Sequence, residues 1–244
     1  MKKIILVIFV FLILFISILA ANRIETYNYT VNLLFIPALD LQMKISDTGS
    51  DCKKLEFVAG TNSVFDKLYK VNNYYKCIYD EDSYLPESRE KIIRQPQLKH
   101  QVNIEYKNQM VYYAKKDSLN IPPKTYSLLS MLMFLRSDKY NCKTDTNLTI
   151  EVKGGIYSAK PRYFGEETLE LNDRRIPAHV IKIGLSRKTK PLKNEKSDIF
   201  FDNITDTEGE RIVWIEKGGQ KRILKAKFSV KKTWLTARLK EEKD

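Results

Sequence analysis

The chain has 244 residues, 43% hydrophobic and 30% charged, with 42 Lys and Arg against 30 Asp and Glu for a net charge of +12. A chain of that length can bury about 70% of its unfolded surface in one core. It contains no Gly/Ser run, Pro-rich spacer or internal repeat, which excludes a pair of linker-joined domains. Its three cysteines contain no CxxC and cannot supply the four ligands of a structural zinc site.

Met1-Lys2-Lys3 precedes an apolar run from Ile4 to Leu19 broken only by Ser17. A charged start followed by such a run is the pattern of a secretory signal. Ile18 and Leu19 occupy the positions two residues before Ala20 and Ala21, where a cleavage site wants small side chains. Counted to Ala21 the stretch reaches the lower edge of a membrane span, so an uncleaved anchor stays open beside a cleaved leader. Asn22 stands where a lipoprotein box needs cysteine. Residues 1–21 are therefore expected to be a signal peptide or signal anchor. Residues 22–244 are expected to form one β-rich domain in the periplasm or cell envelope.

The domain is written in period-two code. Tyr27, Tyr29, Val31, Leu33 and Phe35 alternate with polar residues, and Leu39, Leu41, Met43 and Ile45 do the same after Ile36-Pro37, giving a hairpin. Leu55 to Ala59 and Tyr69 to Tyr79 read as further strands. The segment Glu87 to Gln95 is ambiguous between helix and strand, and its neighbours favour strand. Val102 to Tyr106 and Met110 to Ala114 form a second hairpin. Leu148 to Val152, Tyr157 to Phe164, Thr168 to Leu171 and His179 to Leu185 are strands. Arg187 to Ser197 is a charged loop, and Ile212 to Glu216 pairs with Leu224 to Val230 before a last strand, Trp234 to Leu239.

One stretch breaks the pattern. From Pro122-Pro123 to Arg136 the chain reads as a helix about 20 Å long, with prolines in its first turn and a cation in its last. Leu128, Leu129, Met131, Leu132, Met133, Phe134 and Leu135 leave it almost no polar face. Such a helix is buried. The expected fold is all-β: an antiparallel curved sheet or open barrel of about ten strands around one buried helix, residues 124–136.

Reactive groups are sparse. His100 reads as exposed, while His179 opens a strand and reads as structural. HExxH, GxSxG, Walker and GxGxxG patterns are missing from the sequence. Glu166, Glu167 and Glu170 straddle a turn. Asp202, Asp206, Glu208 and Glu210 resemble a calcium loop in composition, but Ile204 sits where an oxygen ligand is needed. Cys77 falls on a strand face as a small core residue, and Cys52 and Cys142 fall in polar loops where they pair or stay free. No catalytic residue, metal or cofactor is expected, and a non-enzymatic role follows. Between Lys217 and Lys232 there are seven cations and no acid.

The order Phe65 to Tyr79, Asp80, Leu85-Pro86, Ile121-Pro122, Leu128-Leu129-Ser130, Phe134-Leu135-Arg136, Gly165-Glu166 to Leu171, Val213-Trp214-Ile215 and Thr236 to Leu239 resembles an uncharacterised family of exported bacterial proteins, domain of unknown function 3108. The likeness runs from about Tyr27 to Leu239. It implies an envelope-located β-fold and carries no catalytic residue. Lys217-Gly218-Gly219 and Lys231-Lys232-Thr233 depart from the family's closing hairpin and make it more basic.

Two functional readings stand at this point. In the preferred one, Leu128, Met131, Leu132, Met133 and Leu135 hold an apolar or amphiphilic ligand, and Lys221, Arg222, Lys225, Lys227, Lys231 and Lys232 face an anionic lipid surface. In the other, the chain is a structural or assembly factor that contacts another envelope protein through a sheet edge. Nucleic acid is not an expected partner of either.

Overall fold

The computed structural model describes residues 24–113, 117–192, 196, 199–230 and 233–240. The expected leader, residues 1–21, lies outside them except in sequence. Fifteen strands form one sheet: β1 (Glu25–Leu33), β2 (Ile36–Asp47), β3 (Cys52–Thr61), β4 (Asn72–Asp80), β5 (Pro86–Gln95), β6 (Leu98–Lys107), β7 (Met110–Tyr113), β8 (Ser118–Asn120), β9 (Thr125–Ser127), β10 (Leu148–Val152), β11 (Gly155–Leu171), β12 (Arg174–Arg187), β13 (Arg211–Glu216), β14 (Ile223–Val230) and β15 (Thr233–Leu239). The order across the sheet is β8 back to β1, then β15 back to β9. Every pairing is antiparallel except β9 with β10.

That order brings the two edges of the sheet near each other. The outermost strands, β8 and β9, sit at opposite edges of the sheet but are joined by only residues 121–124. Five peptide steps span at most about 17 Å. The two edges must therefore come close, and the sheet wraps into a barrel with a seam between β8 and β9.

The all-β expectation holds, and the strand number exceeds ten. Two of the extra strands, β8 and β9, have three residues each, too few for alternation to show. Tyr157 to Phe164 and Thr168 to Leu171 merge into the single strand β11, with a register shift between Tyr163 and Gly165. Glu87 to Gln95 is strand, as its neighbours implied. Cys52 opens β3 and is buried rather than looped. The three cysteines are free, with Cys77 at 0% exposure. His100 is half-buried on β6 opposite Ile93, against the expectation of exposure.

The helix is shorter than its sequence suggested. It covers Leu128–Leu135, here α1, and is about 12 Å long. The prolines do not start it, because Ser127 does. The Ser127 side chain accepts from the Ser130 N–H and the Ser130 hydroxyl accepts from the Ser127 N–H, a reciprocal cap that fixes the first turn. Thr125–Ser127 is strand, tied in parallel to β10. A second short helix, α2 (Ile199–Ile204), follows the charged loop.

Running from Ser127, α1 passes through the barrel to the end where β1 begins. There Arg136 donates to Glu25 at 3.0 Å, to the Tyr27 hydroxyl at 3.4 Å and to the carbonyls of Gln220 and Lys221. Phe134 packs among Tyr84, Tyr126 and Tyr140 at the same end. This end is sealed.

The opposite end carries the β1–β2 turn. Leu33 pairs with Ile36, leaving Leu34 and Phe35 as a two-residue turn with φ of 49° and 70°. The hairpins β6–β7 and β11–β12 close through the same kind of turn with Asn108-Gln109 and Asn172-Asp173. Polar residues of the asparagine and aspartate kind tolerate that conformation, whereas bulky apolar ones pay roughly 1–2 kcal/mol each for it.

Candidate functional site

The barrel wall lines an apolar cavity of about 210 Å³ between α1 and the end bearing the Leu34-Phe35 turn. Its floor is Leu128, Leu129, Met131 and Leu132 of α1. Its walls are Tyr29 and Val31 of β1, Leu39, Leu41 and Met43 of β2, Phe57 and Ala59 of β3, Tyr75 of β4, Ile183 and Leu185 of β12, Ile223 and Ala226 of β14, and Ala237 of β15. The local cause is the two-residue period. Tyr29 and Val31 lie on the inward face of β1, and their partners Leu41, Leu39 and Ala237 face them across the register.

Phe201 and Ile204 of α2 close the cavity's outer wall, with Phe201 5.0 Å from the Tyr75 ring. Arg211 holds α2 in place. Its guanidinium, 6% exposed as a residue, donates to the carbonyls of Ile204, Asp206, Gly209 and Ile183. Burial lowers its pKa, and nearby Asp206 opposes that shift. A cation on the last carbonyls of a short helix satisfies groups that would otherwise lack partners.

One buried polar atom of a lining residue stands out. Tyr29 is 3% exposed, lines the cavity, and its hydroxyl has no hydrogen-bond partner among the described residues. Burial pushes its phenol well above the ordinary tyrosine value, against the pull of Arg136. It stays a neutral donor and acceptor.

The residues expected to hold a ligand divide by helical periodicity. Leu128, Met131 and Leu132 lie at i, i+3 and i+4 and line the cavity. Met133 and Leu135, buried at 2% and 3%, fall on the other side of α1 and do not line it. Leu129 does, though the sequence reading left it out of the ligand set.

The basic hairpin differs from its expected form. Lys221 pairs with Asp138 and donates to Ser137, and Arg222 holds Glu216 through two nitrogens at 2.8 and 3.0 Å. Lys225 lies 4.1 Å from the Trp214 ring centroid and Lys227 3.9 Å from that of Trp234. Burial lowers the Lys225 pKa. These four cations are committed within the fold because each faces an acid, a carbonyl or an indole on the adjacent element. Lys231 and Lys232 lie outside the described residues.

The acids at Glu166 and Glu167 are also engaged. Lys217 donates to both Glu166 oxygens at 2.7 Å, and the Trp214 indole N–H donates to Glu167 at 2.6 Å. His179 Nδ1 is 3.7 Å from Glu166, beyond hydrogen-bond reach. Burial lowers the His179 pKa, with Glu166 opposing.

The sequence reading missed a buried polar centre at the seam. Glu151 of β10, 0% exposed, accepts from Arg89 of β5, from the hydroxyls of Tyr106 on β6 and Tyr113 on β7, and from the Gly154 N–H at 2.7 Å. Burial acts to lower the Arg89 pKa, yet the charge of Glu151 holds it above the ordinary arginine value. Burial raises the Tyr106 phenol well above its usual range. Every acceptor site of the carboxylate is used by the fold, so the centre clasps the two edges of the sheet. Nothing local announced it, because Glu151 falls on the polar face of the alternating stretch Leu148 to Val152.

The comparisons agree with this architecture. The family model described as "Protein of unknown function (DUF3108)" matches residues 26–237, and the chain belongs to that family. A solved structure described as a beta-barrel-like protein of domain of unknown function DUF1849 from Brucella abortus is similar in fold, with a TM-score of 0.52 at 8% identity. The match covers 89% of this chain and 95% of that one. No curated protein matches the chain.

Proposed function

We propose that this barrel is a non-enzymatic carrier or receptor for an apolar or amphiphilic molecule in the cell envelope. The reading rests on the interior cavity of about 210 Å³, walled mostly by aliphatic and aromatic side chains, with Arg211 and Lys227 also among its lining residues. A cavity of about 150 Å³ with such walls stays dry and takes up small apolar molecules. The space suits a segment of an acyl chain or a small ring system. The unpartnered Tyr29 hydroxyl gives such a molecule one polar contact, which favours an amphiphile over a pure hydrocarbon. The location rests on the charged start and apolar run of residues 1–19.

Ala237 lines the cavity from β15 and tests the reading by filling it. A naphthylamine probe that brightens in apolar surroundings should bind the wild-type chain and be displaced by fatty acids. Ala237→Leu should weaken probe uptake about tenfold while keeping or raising the melting temperature, since new methyl groups enter empty space. A wild-type chain that neither takes up the probe nor yields a co-purified lipid in native mass spectrometry would end this reading.

A further inference from the structure

We propose that the Leu34-Phe35-Ile36 turn inserts into the interfacial region of an anionic lipid bilayer and sets the cavity against it. The proposal rests on the cavity being a ligand site, for which it names the partner surface.

Six of the ten exposed large apolar side chains among the described residues lie at the end of the barrel opposite the Arg136 seal. They are Leu34 at 57% exposure, Phe35 at 96% and Ile36 at 57% in the β1–β2 turn, with Val64, Leu68 and Tyr69 in the loop between β3 and β4. The two segments are fastened together, because Asn62 donates from its side chain to the Pro37 carbonyl at 2.5 Å and from its backbone to that of Ala38 at 3.1 Å. They form one projecting knuckle.

The turn chemistry separates this knuckle from an ordinary hairpin end. Four hairpins among the described residues use paired left-handed residues, and the other three fill them with Asn108-Gln109, Lys153-Gly154 and Asn172-Asp173, which are polar or contain glycine. Only the β1–β2 turn places leucine and phenylalanine, which strains the backbone and exposes oil to water at once. Folding gains nothing from either. An outside partner that removes those side chains from water accounts for both.

The form of the patch selects a bilayer. A protein interface needs roughly 800 Å² per partner with matched shape, whereas this is a narrow protrusion of a few side chains. Exposed Lys67 and Lys70 flank Leu68 and Tyr69 in the same loop, whose one acid, Asp66, accepts from the Thr61 hydroxyl, and apolar tips flanked by cations are the composition of interfacial segments. The register then places the cavity beneath it. Val31 and Leu39 pair three residues in from the tip on β1 and four on β2, and both line the cavity. A molecule leaving the bilayer at the knuckle meets apolar walls within about 10 Å.

The test uses the full chain on vesicles of phosphatidylcholine and phosphatidylglycerol, 3:1, carrying brominated acyl chains. Phe35→Trp should add blue-shifted emission that the bromines quench, measured against the wild-type signal of Trp214 and Trp234. Because quenching reports the depth of the tip itself, attachment through residues 1–21 does not imitate it. A Val64→Trp reporter should be quenched likewise, and Leu34→Asn/Phe35→Gly added to it should cut that quenching about fivefold or more. That double change restores a favoured turn sequence, so it should melt no lower than its parent, and loss of quenching without loss of stability supports docking. Tip emission that stays water-like on vesicles overturns the proposal, as does a blue shift that grows with protein concentration without lipid, which marks a second copy as the partner. Ala237→Leu separates the two claims: it should weaken probe uptake about tenfold and leave tip quenching unchanged. Uptake without tip quenching overturns the docking alone. Tip quenching without uptake overturns the ligand reading.

Discussion

Truncating Glu151 to alanine would leave Arg89, two tyrosine hydroxyls and the Gly154 N–H aimed at an empty place inside the seam. Arg89 is 8% exposed and loses its one carboxylate partner. Removing one member of a buried ion pair costs about 3–5 kcal/mol, because the other charge remains without compensation. Taking about 4 kcal/mol, and about 2–4 °C per kcal/mol for a domain of this size, the melting temperature should fall by about 8–16 °C. Urea unfolding should show a lower midpoint with an unchanged slope. Arg89→Met/Glu151→Leu should recover at least half of the loss, since the unpaired charge goes with its partner. Amide exchange in Glu151→Ala should speed up first in β6 to β10, the strands on either side of the seam. A Glu151→Ala protein that melts within about 2 °C of wild type, with exchange raised evenly over the sheet, would refute the clasp.

Three further outcomes follow from the same structure. Ser127→Ala removes the cap of α1 and should destabilise the protein by about 1 kcal/mol in thermal melts, while Ser127→Thr should lose less. His179 is held below its ordinary pKa by burial, so between its folded value and about 6.5 the unfolded chain binds more protons and stability should fall as pH falls. His179→Gln should flatten that part of the stability profile measured by urea midpoints, and an unaltered profile would count against the assignment. Burial pushes the Cys77 thiol up to about 11 at 0% exposure, whereas Cys142 is half-exposed. In mass-resolved alkylation of the native protein Cys142 should therefore react well before Cys77.

Much of the wall was legible because its strands alternate over long stretches. Tyr27 to Ile45 paired as read, and Glu87 to Gln95 resolved to strand through its neighbours. What stayed hidden depends on contacts distant in sequence. In Leu148 to Val152 the alternation put Glu151 on an outer face, yet Ile150, Glu151 and Val152 are all buried. The closing of the sheet covers both faces of β10, and no local period encodes that. Pro122-Pro123 resembled a helix start, but the start belongs to the Ser127–Ser130 exchange, which lacks the usual acidic third position. The lysines of the last hairpin were visible as charges, whereas their partners Asp138, Glu216, Trp214 and Trp234 were not. The two residues of the β1–β2 turn looked like the end of an apolar strand, since nothing in Leu34-Phe35 announces a turn.

The cavity itself follows from two lengths. Eight strands close around an interior that side chains alone can fill, and sixteen or more leave an open channel. Fifteen strands, even with three-residue edges at β8 and β9, enclose more than side chains can occupy. The chain answers with a helix in the interior, but α1 has eight residues and spans about 12 Å, against about 30 Å for the nine residues of β1. Arg136 anchors the helix at the end where β1 begins, so the shortfall collects at the other end, beneath the Leu34-Phe35 turn. An empty apolar volume there is a standing cost to stability, of the order of 24 cal/mol per Å³ in engineered cavities. Arg211 and α2 keep its outer wall in place where collapse would remove that cost. A fold that maintains the volume in this way, with Tyr29 left unpartnered at its wall, supports the proposal that another molecule fills it.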